Sequence, residues 1–135
     1  MFYLALKAAH VVSVIVFVGG LIAQSLAVAN LWMGTGHLHL AVERWDRRVT
    51  TPAMLATWLF GMLLAMQGAF FSSGWLLAKL MIVIVLSGLH GIQAGLLRRS
   101  LIAPPTVTGY LQTLAPKVVA GGVVLIVTLV VIKPF

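Results

Sequence analysis

The chain has 135 residues, of which 61% are hydrophobic and only 8% charged, with a mean hydropathy of +1.12. A soluble domain of this size would carry about 25% charged residues, so the composition excludes one and points to an integral membrane protein, all-α, with room for a single bundle of about four helices. The formal charge of +7 arises from nine Lys and Arg against Glu43 and Asp46, and cysteine is absent, which rules out disulfides, thiolate catalysis, cysteine-bound zinc and iron–sulfur clusters.

A basic balance in a soluble protein suggests nucleic acid. Here most cations lie between apolar runs, so lipid headgroups and topology account for them and no nucleic-acid partner is expected. Lys7, the apolar run behind it and Ala27-Val28-Ala29 mimic a secretory signal. The run from Ala8 to Ala29 exceeds the roughly 7–15 residues of a signal core, so an uncleaved first helix is expected.

That helix is predicted over residues 2–31, longer than a perpendicular crossing needs, so it should tilt or protrude. Lys7, His10, Val14, Phe17, Leu21 and Gln24 recur at three- and four-residue spacing and form one stripe. The stripe holds most of the helix's polar groups and should face the bundle interior. Gly19-Gly20 would allow close backbone approach or a bend.

Residues 34–50 are the polar part of the chain, with His37, His39 and the run ERWDRR at Glu43–Arg48. They predict a loop with a short interfacial helix. His37 and His39 are read as solvated loop residues rather than a weak metal pair. The second helix is expected over 51–68, with Pro52 in its first turn. Its Met54, Met62 and Met66 are soft enough for copper(I) but read more simply as packing. The short turn at 69–74 makes the second and third helices antiparallel neighbours.

The third helix, GWLLAKLMIVIVLSGLHGIQAGLLRR, runs from Gly74 to Arg99. Trp75 suits a membrane–water interface and Arg98-Arg99 closes the span. Between them the run is apolar apart from Lys79, Ser87 and His90. Lys79 and His90 are eleven residues apart and lie on nearly the same face. A charged Lys inside a membrane costs roughly 2.5–3.5 kcal/mol on insertion scales, so such residues mark a site by default.

Ala103-Pro104-Pro105-Thr106 predicts an extended connection. The fourth helix is expected over 114–132, packed through Gly121-Gly122 and ending at Lys133-Pro134-Phe135. Arg44, Arg47, Arg48, Arg98 and Arg99 fall on one side with Lys117 beside them, whereas the other side has Lys7, Lys79 and Lys133. The Arg-rich side is expected to be cytoplasmic, with both termini outward, in a bacterial-type inner membrane.

The first and third helices then start at the same outer face. Counting 1.5 Å per residue, Lys7 and Lys79 lie ~6–8 Å deep, His10 ~12 Å and His90 ~22 Å. Two imidazoles on one iron must meet at a single level, which the ~10 Å offset of His10 and His90 opposes. Lys79 starts only ~5–6 Å above His10 and has a flexible stem, so His10 and Lys79 are the pair best able to meet at one metal centre. The alternative from spacing alone is that both lysines snorkel outward while the histidines make interhelical hydrogen bonds.

The run TPAMLATWLFGMLLAMQGAFFSSGWLLAKLMIVIVLSGLHG (Thr51–Gly91), the opening LKAAHVVSVIVFVGGL (Leu6–Leu21) and the ending VVIKPF resemble the HemJ-type protoporphyrinogen IX oxidases, small bundle proteins distantly similar to the CopD copper-resistance membrane domain. The resemblance covers most of the four-helix core, and the Trp75, Lys79, His90 arrangement is its most specific part. It implies a haem b and oxidation of protoporphyrinogen IX to protoporphyrin IX. The family's haem-associated His maps on His10 and its third-helix Lys on Lys79. The chain departs from the family at Phe17, where a tryptophan is usual. It also departs at Ser25-Leu26 for Pro-Arg, at Asn30-Leu31 for Tyr-His, and at Thr113-Leu114 for Asn-Glu. These changes remove an Arg able to hold a propionate and groups able to move protons. No predicted span retains an acid, a pattern expected of a divergent paralogue.

The leading expectation is a HemJ-like membrane protein binding haem b through His10 and Lys79. It would oxidise a tetrapyrrole substrate or pass electrons to an electron-transfer partner, with His90 or Lys7 aiding proton or carboxylate handling. The alternatives are an accessory subunit of a larger membrane complex or a homo-oligomer, and, third, copper handling of CopD type.

Overall fold

The computed structural model describes residues 1–33, 36–103 and 109–132. The long apolar runs fold as helices α1 (Phe2–Ala29), α2 (His37–Trp45), α3 (Thr51–Gln67), α4 (Gly74–Ser100) and α5 (Gly109–Ile132). Short 3-10 turns occupy Leu31–Met33 and Phe70–Ser72, and no strand occurs among the described residues. A π turn at Asp46–Thr50 joins α2 to α3, making one span of 31 residues, His37–Gln67. The four helical spans are each long and apolar enough to cross a bilayer, the all-α bundle expected from composition.

The segment read as a loop with a short interfacial helix is helical from His37 onward and runs straight into α3. Nothing between Gly36 and Pro52 breaks a helix, and the charged residues that look solvated in sequence find partners inside the bundle. Pro52 is therefore not a helix start. The Thr51 N–H bonds the Asp46 carbonyl five residues back. Proline has no N–H for the Arg48 carbonyl and its ring crowds that group, which a widened turn accommodates.

Helix α5 begins at Gly109, ahead of the expected 114, and carries Pro116 inside it. Proline forfeits only its own backbone bond, and membrane helices tolerate it. The extended connection expected at 103–106 falls mostly outside the described residues, as do Lys133, Pro134 and Phe135. Ala69 takes the left-handed φ of 51° that separates α3 from the turn before α4.

Helices α3, α4 and α5 all pack on α1. Phe17, Leu21, Leu86 and Val119 form one buried apolar cluster, and Ala27, Val28, Leu31 and Leu97 a second toward the Arg-rich end. Of the glycine pair in α1, Gly20 lies so close to the Thr50 side chain that any Cβ would overlap it, whereas Gly19 faces open space. Of the pair in α5, Gly122 sits against Leu86 and Gly121 has nothing within 4 Å. Helices α3 and α4 meet through a long reach, with Trp58 Nε1 donating to Ser87 Oγ at 3.1 Å.

Close approach at Gly20 sets the α1–α3 spacing. Gly20→Val should lower stability in detergent by roughly 1–3 kcal/mol through overpacking, while Gly19→Val changes it by less than about 0.5 kcal/mol. Thermal unfolding of the purified variants reads the difference, and equal effects of both would dispose of the contact as a constraint.

Candidate functional site

Two polar regions lie along α1, separated by the Phe17–Leu21 cluster. The outer one contains His10. Its ring rests on Gly61 of α3, where an added Cβ would come within 3.0 Å of Cε1. The Thr57 carbonyl, one turn away on α3, also faces the ring, and Lys79 of α4 lies within electrostatic reach. His10 Nδ1 is buried and has no hydrogen-bond partner. A ring N–H directed at the Thr57 carbonyl leaves a lone pair on the other nitrogen, the atom that a metal would take.

Lys79 is half-buried, with Nζ 5.9 Å from the Trp75 ring centroid one turn back on α4. The level of this gap follows from α1 and α4 themselves. The Phe17 and His90 rings meet edge-on, centroids 5.8 Å apart at 76°. Counting outward at 1.5 Å per residue from that contact, His10 lies ~10 Å away and Lys79 ~16 Å, so the lysine starts ~6 Å outward of the imidazole. The Trp58–Ser87 hydrogen bond bridges α3 and α4 on the inward side.

Lys7 is exposed, which corrects the expectation that its whole stripe faces inward. Phe17, Leu21 and Gln24 of that stripe are buried, but Lys7 is less than two turns from the helix start, and its long stem carries the charge outward.

The inner region is built around His90. Its Nε2 lies 2.6 Å from Asp46 Oδ1, with the two side chains only 4% and 3% exposed. Asp46 Oδ2 is 4.0 Å from the Arg98 guanidinium, and Arg98 is also 3.5 Å from Glu43 Oε1. Arg47 Nη2 donates to the same Glu43 oxygen at 2.7 Å. Beside this network the Ser25 hydroxyl and the Gln93 amide are mutually bonded, Gln93 Nε2 donating to Ser25 Oγ at 2.9 Å. Ser25 also donates to the Leu21 carbonyl.

Asp46 overturns the reading that no span carries an acid. In the sequence it falls in an expected loop, because ERWDRR looks solvated and Pro52 looks like a start. The signal that could have found it is the absence of any helix breaker from His37 to Thr51, with Glu43 and Asp46 three apart on one face. His39 is likewise buried rather than solvated, its Nε2 3.1 Å from the Ala27 carbonyl, while His37 is exposed. The two do not form a metal pair, since successive odd positions point to different faces of a helix. Met54 packs in the core, but Met62 and Met66 are exposed, so the methionines do not converge.

Among the described residues no group of three His, Cys, Asp or Glu is arranged to hold a metal. The outer gap offers instead one imidazole and one amine; the inner region offers an imidazole–carboxylate pair. Removing one partner of that buried pair should cost roughly 1–3 kcal/mol, because the other is left buried without its hydrogen-bond partner. Asp46→Leu is therefore expected to destabilise more than Asp46→Leu/His90→Leu together. A double-variant cycle in detergent checks this, and simple additivity would show the pair to be uncoupled.

No family model matches this chain, and no curated protein or solved structure does so either.

Proposed function

We propose that this chain is a haem b-binding membrane protein that works on a tetrapyrrole, as its resemblance to HemJ-type protoporphyrinogen IX oxidases implies. The observation that carries the reading is the buried, unpartnered Nδ1 of His10 with Lys79 within electrostatic reach. An imidazole lone pair and an amine on parallel helices are donors that could hold an iron, and the Gly61 backbone leaves the ring room. His10 and Lys79 would hold the haem, which supplies one-electron chemistry when bound.

The chain's own residues supply orientation and charge. The Thr57 carbonyl lies close enough to orient the His10 ring. Lys79 ligates only as the neutral amine, so its proton leaves toward the Trp75 end. Lys7, exposed one turn outward of His10, meets the carboxylates of a flat apolar substrate entering from the lipid. His90 serves as the proton-handling group deeper in the bundle. The Arg-rich end faces the cytoplasm of a bacterial-type cell, in agreement with the positive-inside rule.

Purified from cells with ample haem, the protein should show a Soret band. His10→Ala and Lys79→Ala should each reduce it at least about tenfold, a loss of 1.4 kcal/mol or more in affinity. His90→Ala should retain it. A band lost in His90→Ala and kept in Lys79→Ala would reassign the axial pair. Rescue of a strain lacking its protoporphyrinogen oxidase separates the enzyme from an electron carrier.

A second reading rests on α4. Gly88, Gly91 and Gly95 recur on one face with no atom within 4 Å, the kind of stripe by which membrane helices approach one another. On this reading the chain is a subunit of a homo-oligomer or of a larger membrane complex. Gly91→Leu should then convert an oligomer to a monomer by light scattering in mild detergent, and a wild type that is monomeric at every concentration rules out the homo-oligomer.

A further inference from the structure

The buried pair of Asp46 and His90 belongs to a complete polar layer. Gly20 lies against Thr50, and α1 and α3 run antiparallel. One turn along α1 therefore brings Gln24 opposite Asp46, one turn back from Thr50. Gln24 and Thr50 are both 0% exposed. Neither the Gln24 amide nor Thr50 Oγ1 has a hydrogen-bond partner from the protein. Ser25 and Gln93 complete the layer. Apolar clusters lie on both sides of it, Phe17, Leu21 and Leu86 outward and Val28, Leu31 and Leu97 toward the Arg-rich end.

Packing alone does not call for such a layer. Apolar residues of similar volume are commonly as stabilising as a buried ion pair, and ionisable groups inside a membrane mark proton or ion pathways. Gln24 and Thr50 surround the pair with polar atoms that the protein does not otherwise use. Asp46 also has the connectivity of a relay. Oδ1 faces inward to His90, while Oδ2 faces Arg98, whose side chain is 46% exposed.

We propose that this layer is a proton-binding site, in which the Asp46–His90 pair takes up one proton from the Arg-rich side past the half-exposed Arg98 that faces Asp46 Oδ2. The proton leaves a hydronium ion at the Arg-rich end, whose O–H bond breaks as a second imidazole N–H forms; no electrons are exchanged, and the pair passes from one net negative charge to none. The titratable and charged groups around it are Glu43 and His39 of α2, Arg47 of the π turn and Arg98 of α4. Helix α1 brings none at this level, and Lys117 of α5 is exposed. The inference deepens the proton-handling role proposed above for His90, but the site shares no residue with the His10–Lys79 gap, so loss of haem binding and loss of proton uptake are separable outcomes.

The test is infrared difference spectroscopy of the haem-free protein in lipid nanodiscs, with ring-labelled histidine, between about pH 8 and about pH 5. The wild type should show an imidazolium band that is lost in His90→Gln. The band should shift in frequency in Asp46→Asn and persist in Asp46→Glu, which keeps the charge should the asparagine variant not fold. Histidine bands identical in wild type and His90→Gln would make the pair a static interhelical bond and overturn the proposal.

Discussion

The hydrogen-bonded pair of Asp46 and His90 is the constraint on which the arrangement of this bundle depends. A carboxylate and an imidazole, both almost fully enclosed, must be placed together or not enclosed at all, because either one alone is costly to bury. That requirement draws the π turn against α4. With Gly20 seated on Thr50, it also draws the same turn against α1. The polar stretch before Pro52 thereby becomes the inner half of a membrane span.

Helix α1 connects the two polar regions. Its contact with α3 at Gly61 and Thr57 presents His10, and its contact with the π turn presents Gln24 and Ser25, about four turns further on. The intervening Phe17 separates the regions and also touches His90. The first region offers an imidazole with an amine in electrostatic reach, the second an imidazole hydrogen-bonded to a carboxylate.

Enclosure of Asp46 gives the bundle an acid–base couple that the sequence spans alone do not reveal. Ser25 is bonded to Gln93 and forms part of the layer beside that couple.

Composition and hydrophobic run length were enough to read an all-α membrane bundle, because a span must satisfy its backbone internally and must be about twenty apolar residues long. Counting residues along α1 and α4 places His10 nearer in level to Lys79 than to His90, since helical rise is constant, and the structure shows Lys79 within electrostatic reach of His10. The fate of ERWDRR was not legible. Local sequence records that Asp46 is charged, but only a partner forty-four residues away in the chain decides that it is buried. The same holds for His39, held by a carbonyl of α1, and for Lys7, which turned outward because no neighbour enclosed it. Run length and periodicity are local properties and were read from the chain directly; the pairing of polar groups across helices is not local, and the tertiary structure alone decided it.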